Sequence, residues 1–201
     1  MRNAEYIQKY LDDMARVTAA LPRDDIDAAI ELLFSTWEND GTIYTAGNGG
    51  SASTASHMAC DLAKWTWCEG KRRLRALSLN DNMALYSALV NDEGPGSVYA
   101  EQLESLVRPG DTLVLISVHG GAGTGNAGAW SQNLLRAVEV AKARGARTLG
   151  LSGFDGGALR QVADVCVVVP IDSTPQVESF HLALEHLFCD CLRQKIDAAP
   201  A

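Results

Sequence analysis

Several features are missing from this 201-residue chain, and each absence excludes something. No apolar run approaches the roughly 20 residues that cross a bilayer. The opening Met1-Arg2-Asn3-Ala4-Glu5-Tyr6 lacks the apolar segment of a secretion signal. A cytoplasmic protein with no membrane partner is expected. Basic runs are nearly absent, Lys71-Arg72-Arg73 being the longest, and the net charge is −8. Nucleic acid is therefore not an expected partner, although acidity says nothing against a small anion held in a local site. The five cysteines, Cys60, Cys68, Cys166, Cys189 and Cys191, are odd in number and have no framework spacing, which argues for reduced thiols. In Cys189-Asp190-Cys191 the two thiols fall on different faces of an apolar helix, so the pair reads as core filling. Two familiar phosphate motifs are also lacking. There is no G-x-G-x-x-G and no Lys after the last glycine of a P-loop.

What is present is a different glycine turn. The apolar run Ile43 to Ala46 stops at Gly47-Asn48-Gly49-Gly50-Ser51, and an alanine- and serine-rich stretch with helical character follows. Strand, glycine loop and helix in that order present backbone N–H groups to an anion. Asn48 tolerates positive φ or donates its amide, Gly49 lets the backbone approach a ligand, and Ser51 sits near the first helical turn. One turn further, His57 and Asp61 are spaced i,i+4 and share a helix face. Such a pair can hold a divalent metal, act as a base with its partner, or be an ordinary surface pair.

Helices are predicted over 3–20 and 24–39, broken at Pro22 with Arg23-Asp24-Asp25. This N-terminal pair (1–40) stands outside the alternation that follows, and is expected to pack on a neighbouring subunit or on the domain edge. From residue 41 onward strands and helices alternate. Strands are predicted at Ile43–Ala46, Leu74–Ser78, Thr112–Ser117, Arg147–Leu151 and Val165–Val169. Helices are predicted near 51–67, 81–91, 97–107, 131–144, 157–162 and 175–195. The third strand, Thr112-Leu113-Val114-Leu115-Ile116-Ser117, is apolar almost throughout, as expected of a central parallel strand covered on both faces. The implied architecture is α/β: one domain over 1–201, a three-layer αβα sandwich on a five-stranded parallel sheet. Ligands in such folds bind at the carboxyl ends of the strands, where both glycine-rich stretches, 47–50 and 119–128, fall.

Those residues, together with Asn91-Asp92, Arg108-Pro109-Gly110-Asp111, Ser131-Gln132-Asn133-Leu134-Leu135-Arg136-Ala137, Asp155-Gly156-Gly157 and Thr174-Pro175-Gln176 through His186, resemble sugar isomerase (SIS) domains, and among them phosphoheptose isomerases. The resemblance covers nearly the whole chain. It implies a flavodoxin-like domain, assembly as a homotetramer, and interconversion of a ketose and an aldose phosphate: sedoheptulose 7-phosphate to D-glycero-D-manno-heptose 7-phosphate. It further implies a zinc ion (Zn2+) held at His57, Asp61, Glu178 and His186, with Asp61 and His186 as the acid–base pair. Asn48, Gly49, Ser51 and Asp92 match substrate-contacting positions, and Ser117 and Ser131 match the ends of a phosphate loop.

The chain also departs from that pattern. Asp61 stands where the family has Glu, and Glu178 where it has Gln, which shortens one carboxylate and adds another. An added carboxylate strengthens cation binding and weakens Lewis acidity. Val118 and His119 replace two hydroxyl donors of the phosphate loop, and a glycine-rich insertion precedes Trp130 and Ser131. A protonated His119 can offset the lost hydroxyls by charge, and Trp130 can stack on a sugar face. His181, i+3 from Glu178, is a second candidate ligand beside His186. Two readings compete with the heptose isomerase: an isomerase of a different sugar, and a SIS-type module that binds a phosphosugar or a partner without catalysis.

Overall fold

A computed structural model of the chain describes residues 2–121 and 131–200. The elements in order are α1 (Asn3–Ala20), α2 (Arg23–Glu38), β1 (Thr42–Gly47), α3 (Gly50–Lys64), β2 (Arg75–Ser78), α4 (Met83–Asp92), α5 (Val98–Leu106), β3 (Thr112–Ile116), α6 (Gln132–Ala143), β4 (Arg147–Gly153), α7 (Leu159–Val162), β5 (Val165–Val169) and α8 (Thr174–Ala198). The five strands are all parallel, in the order β2-β1-β3-β4-β5. This is the flavodoxin-like order, in which the chain reverses direction across the sheet between β1 and β3.

The period-2 alternation of the strands sorts the core into two layers. Ile43, Val114, Ile116, Leu149, Leu151, Val167 and Val169 point to the face covered by α2, α3 and α8. Tyr44, Ala46, Leu113 and Leu115 point to the face covered by α5 and α6. The N-terminal pair therefore divides. Helix α2 buries Ile26, Ile30, Leu33 and Trp37 against the sheet and α8, and is a full member of one layer. Helix α1 buries only Val17. No helix among the described residues is long and apolar enough to cross a membrane.

Helix α3 ends at Lys64 rather than 67, because Thr66 donates its hydroxyl to the Leu62 carbonyl and its N–H to that of Asp61, closing the last turn. Cys189 is fully buried and Cys191 half-buried, in keeping with two thiols on different faces of α8.

Candidate active site

The glycine turn is built as its residue types require. Gly49 adopts φ 59°, ψ −124°, a conformation that side chains strongly disfavour. A Cβ on Gly47 would lie 2.4 Å from the Ser51 carbonyl, so the strand can pass into α3 only without one. Asn48 is held in a reciprocal amide pair with Asn133 at the start of α6: each donates to the other's oxygen, at 3.0 and 2.9 Å. Tyr99, fully buried, donates to the Gly47 carbonyl at 2.5 Å, and the Asn80 amide accepts from the Gly47 N–H and donates to the same Gly47 carbonyl. Burial pushes the Tyr99 phenol well above its ordinary range, so it stays protonated as a donor. The Asn48 amide is thus spent on positioning the loop.

At the carboxyl edge of the sheet lies a cavity of about 270 Å³. Asn48, Gly49 and Ser51 line it from the β1 turn, Ser117, His119 and Ser131 from the β3 side. The His119 ring packs on Phe154, centroids 4.4 Å apart. Gly120 turns beneath it with φ +66°, where a Cβ would fall 1.9 Å from the Gly156 carbonyl. Ser131 caps α6 in the left-handed conformation, φ 58°, and its hydroxyl makes no capping bond. The expectation for Trp130, and most of the glycine-rich insertion, lie outside the described residues.

The same cavity is also lined by Glu178, which corrects one expectation. Glu178 does not join His57, Asp61 and His186. Their fourth neighbour is Glu185, and the ligand atoms of these four lie within 4.8 Å of one another. Helices α3 and α8 run side by side in the same direction: Gly50 meets Glu178, His57 meets His186, and Trp65 meets Asp190. Glu178 stands seven residues, about 10 Å along the helix, before Glu185. Reach, not chemistry, removes it from the cluster. His181 is likewise elsewhere, fully buried, and burial pulls it down to about 4, so it stays neutral. Asp92 is exposed at the end of α4, bonded to Asn91, and lines neither site.

The quartet fits a metal. Four ligands bonded at about 2.0–2.1 Å around a tetrahedral centre stand about 3.3–3.4 Å apart. Here His57 Nε2 lies 3.4 Å from His186 Nε2, 3.6 Å from Asp61 and 3.8 Å from Glu185. His186 Nε2 lies 3.7 Å from Asp61 and 3.1 Å from Glu185. Glu185 is fully buried, and its Oε1 makes no hydrogen bond among the described residues. Burial, reinforced by the Asp61 carboxylate, pushes its carboxyl up to about 8. An ionised carboxylate left so is costly, and a cation relieves that cost. The two imidazoles are half exposed, so the cluster opens outward.

Sequence reasoning missed Glu185. The signal available was a lone acid in the apolar run Phe180-His181-Leu182-Ala183-Leu184-Glu185-His186-Leu187-Phe188. A buried charge needs a partner, and the i,i+4 pair on α3 supplies one.

Residues 5–153 match the SIS domain family. The chain is 37% identical over 195 residues to the phosphoheptose isomerase of Helicobacter pylori strain HPAG1, covering 92% of this chain and 96% of that one. It is 47% identical over 187 residues to the lincomycin biosynthesis protein LmbN of Streptomyces lincolnensis, covering 91% of this chain and 67% of that protein. Among solved structures, phosphoheptose isomerase GmhA of Neisseria gonorrhoeae superposes with a TM-score of 0.84 at 29% identity, over 96% of this chain and all (100%) of that one. A phosphoheptose isomerase of Francisella tularensis gives 0.85 at 27% identity, with the same coverage of 96% and 100%.

Proposed function

We infer that this chain, which belongs to the SIS domain family and is a phosphosugar isomerase, interconverts sedoheptulose 7-phosphate and the corresponding aldoheptose 7-phosphate. The observation that carries the reading is the pairing of an anion-type cavity with an acid–base and metal-type cluster two turns away along the same two helices. From Gly50 to His57 is seven residues, about 10 Å. An extended seven-carbon chain, advancing about 1.25 Å per C–C bond, spans about 7.5 Å, and its phosphate ester carries it to about 10 Å, enough to set the phosphate at one end and C1–C2 toward the other.

The chemistry asks little of the protein. A proton leaves C1 of the ketose and arrives at C2, while another passes from O1 to O2, through a cis-enediol. Asp61 is assigned the carbon proton, since it faces both imidazoles and is only partly buried. His186 is assigned the oxygens and the opening of the cyclic sugar. His57, Asp61, Glu185 and His186 would hold a zinc ion, one per chain, which when bound supplies Lewis-acid polarisation of a carbonyl or hydroxyl. The phosphate is assigned to Ser117, His119, Ser131 and the α6 N-terminus, and the sugar to Gly49, Ser51 and the Asn48 loop. Asp92, remote from both sites in one chain, is left to a contact across subunits of a homotetramer. The whole chain acts in this reading as one SIS domain, in the cytoplasm.

A second reading keeps the enzyme and changes the sugar. It is favoured by Val118 and His119 in the phosphate loop and by the 47% identity to a lincomycin biosynthesis protein.

The test is turnover of a panel of ketose phosphates of five to eight carbons, with and without chelator. Sedoheptulose 7-phosphate as the best substrate, with activity lost on chelation and restored by zinc, supports the first reading. Preference for another phosphosugar supports the second. Turnover of none contradicts both.

A further inference from the structure

Resting on the phosphosugar reading, we propose that Phe154 is a positioning residue for His119, the platform that holds this imidazole in place for the substrate's phosphate. Among the described residues His119 is the one basic side chain lining the cavity. Its ring lies 4.4 Å, centroid to centroid, from that of Phe154, with the planes inclined at 53°. Phe154 follows β4 and sits in the left-handed region, φ 53°. A bulky side chain rarely adopts that conformation, and where one does its surroundings hold it there. Here the Phe154 N–H donates to the Ile171 carbonyl at 3.4 Å, and the side chain packs against the core layer of α2, α3 and α8. One half-buried ring thus touches both the core and His119.

The loops that carry the two rings are joined along their backbones. Ser117 donates its N–H to the Leu151 carbonyl at 3.0 Å, Gly153 to that of Val118 at 2.9 Å, and Leu159 to that of Gly120 at 2.8 Å. No side chain fits between them: a Cβ on Gly157 would lie 2.2 Å from the His119 carbonyl, facing the equally tight Gly120. With its main chain fixed on either side, His119 keeps only its side-chain torsions. The second of these is broad for histidine, so the ring needs a packed neighbour to hold one orientation. Phe154 is that neighbour. A serine or threonine hydroxyl has one short rotor and needs no such support, but residues 118 and 119 carry no hydroxyl here. An imidazole N–H ordered before the ligand arrives donates to a phosphate oxygen without a further ordering cost.

The experiment uses the full-length, zinc-supplied protein, with inorganic phosphate as the binding probe and sedoheptulose 7-phosphate as the turnover probe. Wild type is compared with Phe154→Tyr, Phe154→Leu and Phe154→Gly, each also combined with His119→Asn, and melting and zinc content are measured on all. Phe154→Gly keeps the positive φ without strain and removes the ring, whereas Phe154→Leu keeps apolar bulk. Both are expected to bind phosphate about fivefold more weakly and to raise KM similarly, with kcat within about twofold of wild type and zinc unchanged. Phe154→Tyr keeps the ring and stays at wild-type values. Combined with His119→Asn, the Phe154 changes have no further effect, because they act through that imidazole. Equal losses with and without His119, wild-type affinity in Phe154→Leu, or a fall in kcat at constant KM overturns the proposal. So does a wild type that does not bind phosphate. Should the variants unfold, histidine proton NMR of the wild type decides. His119 ring signals, identified by their loss in His119→Asn, are expected to be displaced by the Phe154 ring current before phosphate is added. Shifts of a solvent-exposed histidine overturn the proposal. Failure of the isomerase reading is seen separately, as wild-type protein that binds phosphate and turns over no phosphosugar.

Discussion

At Asp61 a single methylene sets what the cluster can hold. With a carboxylate this short, Oδ2 still comes to 3.6 Å and 3.7 Å from the two imidazoles, and Glu185 closes the fourth corner from the buried side. Asp61→Ala and His186→Ala are expected to lose bound zinc, measured as metal per chain after dialysis. Glu185→Gln should weaken zinc at least tenfold, since it removes the only fully buried charge in the set. Glu178→Gln should retain it. Retention by Glu185→Gln with loss from Glu178→Gln would reverse the two assignments. That His57, Asp61 and His186 come together was legible in the sequence from spacing and family likeness. Glu185 was not, because the register of α8 against α3 is a tertiary fact. Residues 178 and 185 lie on nearly the same stripe, seven apart, and only packing decides which of them meets Asp61.

Elements were more legible than contacts. Most of the strands and helices stand within a few residues of expectation, because most bury an apolar face against the sheet and several end at a Gly, Pro or Asp turn. What periodicity could not reveal was that α2 covers the sheet while α1 does not, since both carry helical spacing. Helix α8 is placed by a close approach to β4. A Cβ on Gly153 would lie 2.4 Å and 2.7 Å from the Val177 methyls. Gly153→Ala should displace the start of α8 and destabilise the fold by about 1–3 kcal/mol, read from the denaturant midpoint. The entry to β4 is tied by Asp164, which accepts from the Thr148 N–H at 2.7 Å and from its hydroxyl at 2.9 Å. Burial raises its pKa, but those bonds, with Lys142 and Arg147, outweigh it and hold the carboxyl below its ordinary 3.8. A depressed carboxyl stabilises above the unfolded value and loses that contribution as pH falls through the folded one. Asp164→Asn should therefore cost about 1 kcal/mol at pH 7, and the difference from wild type should fade below about pH 4.

For the whole molecule, the homotetramer proposed above would need apolar surface to bury. Tyr6, Ile7 and Leu11 on α1 are 56%, 57% and 58% exposed, and α4 buries none of its residues despite carrying Met83 and Leu85. Large apolar side chains grouped on an open helix mark a contact surface. Analytical ultracentrifugation should find four 21.5 kDa chains sedimenting together. The double substitution Ile7→Glu with Leu11→Glu should shift the protein to smaller species. A wild-type monomer would contradict the assembly. An isomerase of this kind moves a proton between C1 and C2 of a phosphosugar. The most direct test of that step is proton NMR of sedoheptulose 7-phosphate incubated in D2O with the zinc-loaded protein. An aldoheptose phosphate with deuterium at C2 is expected, and no conversion by Asp61→Ala. An unchanged substrate, or an aldose carrying no solvent deuterium even at early times together with full activity in Asp61→Ala, would contradict it.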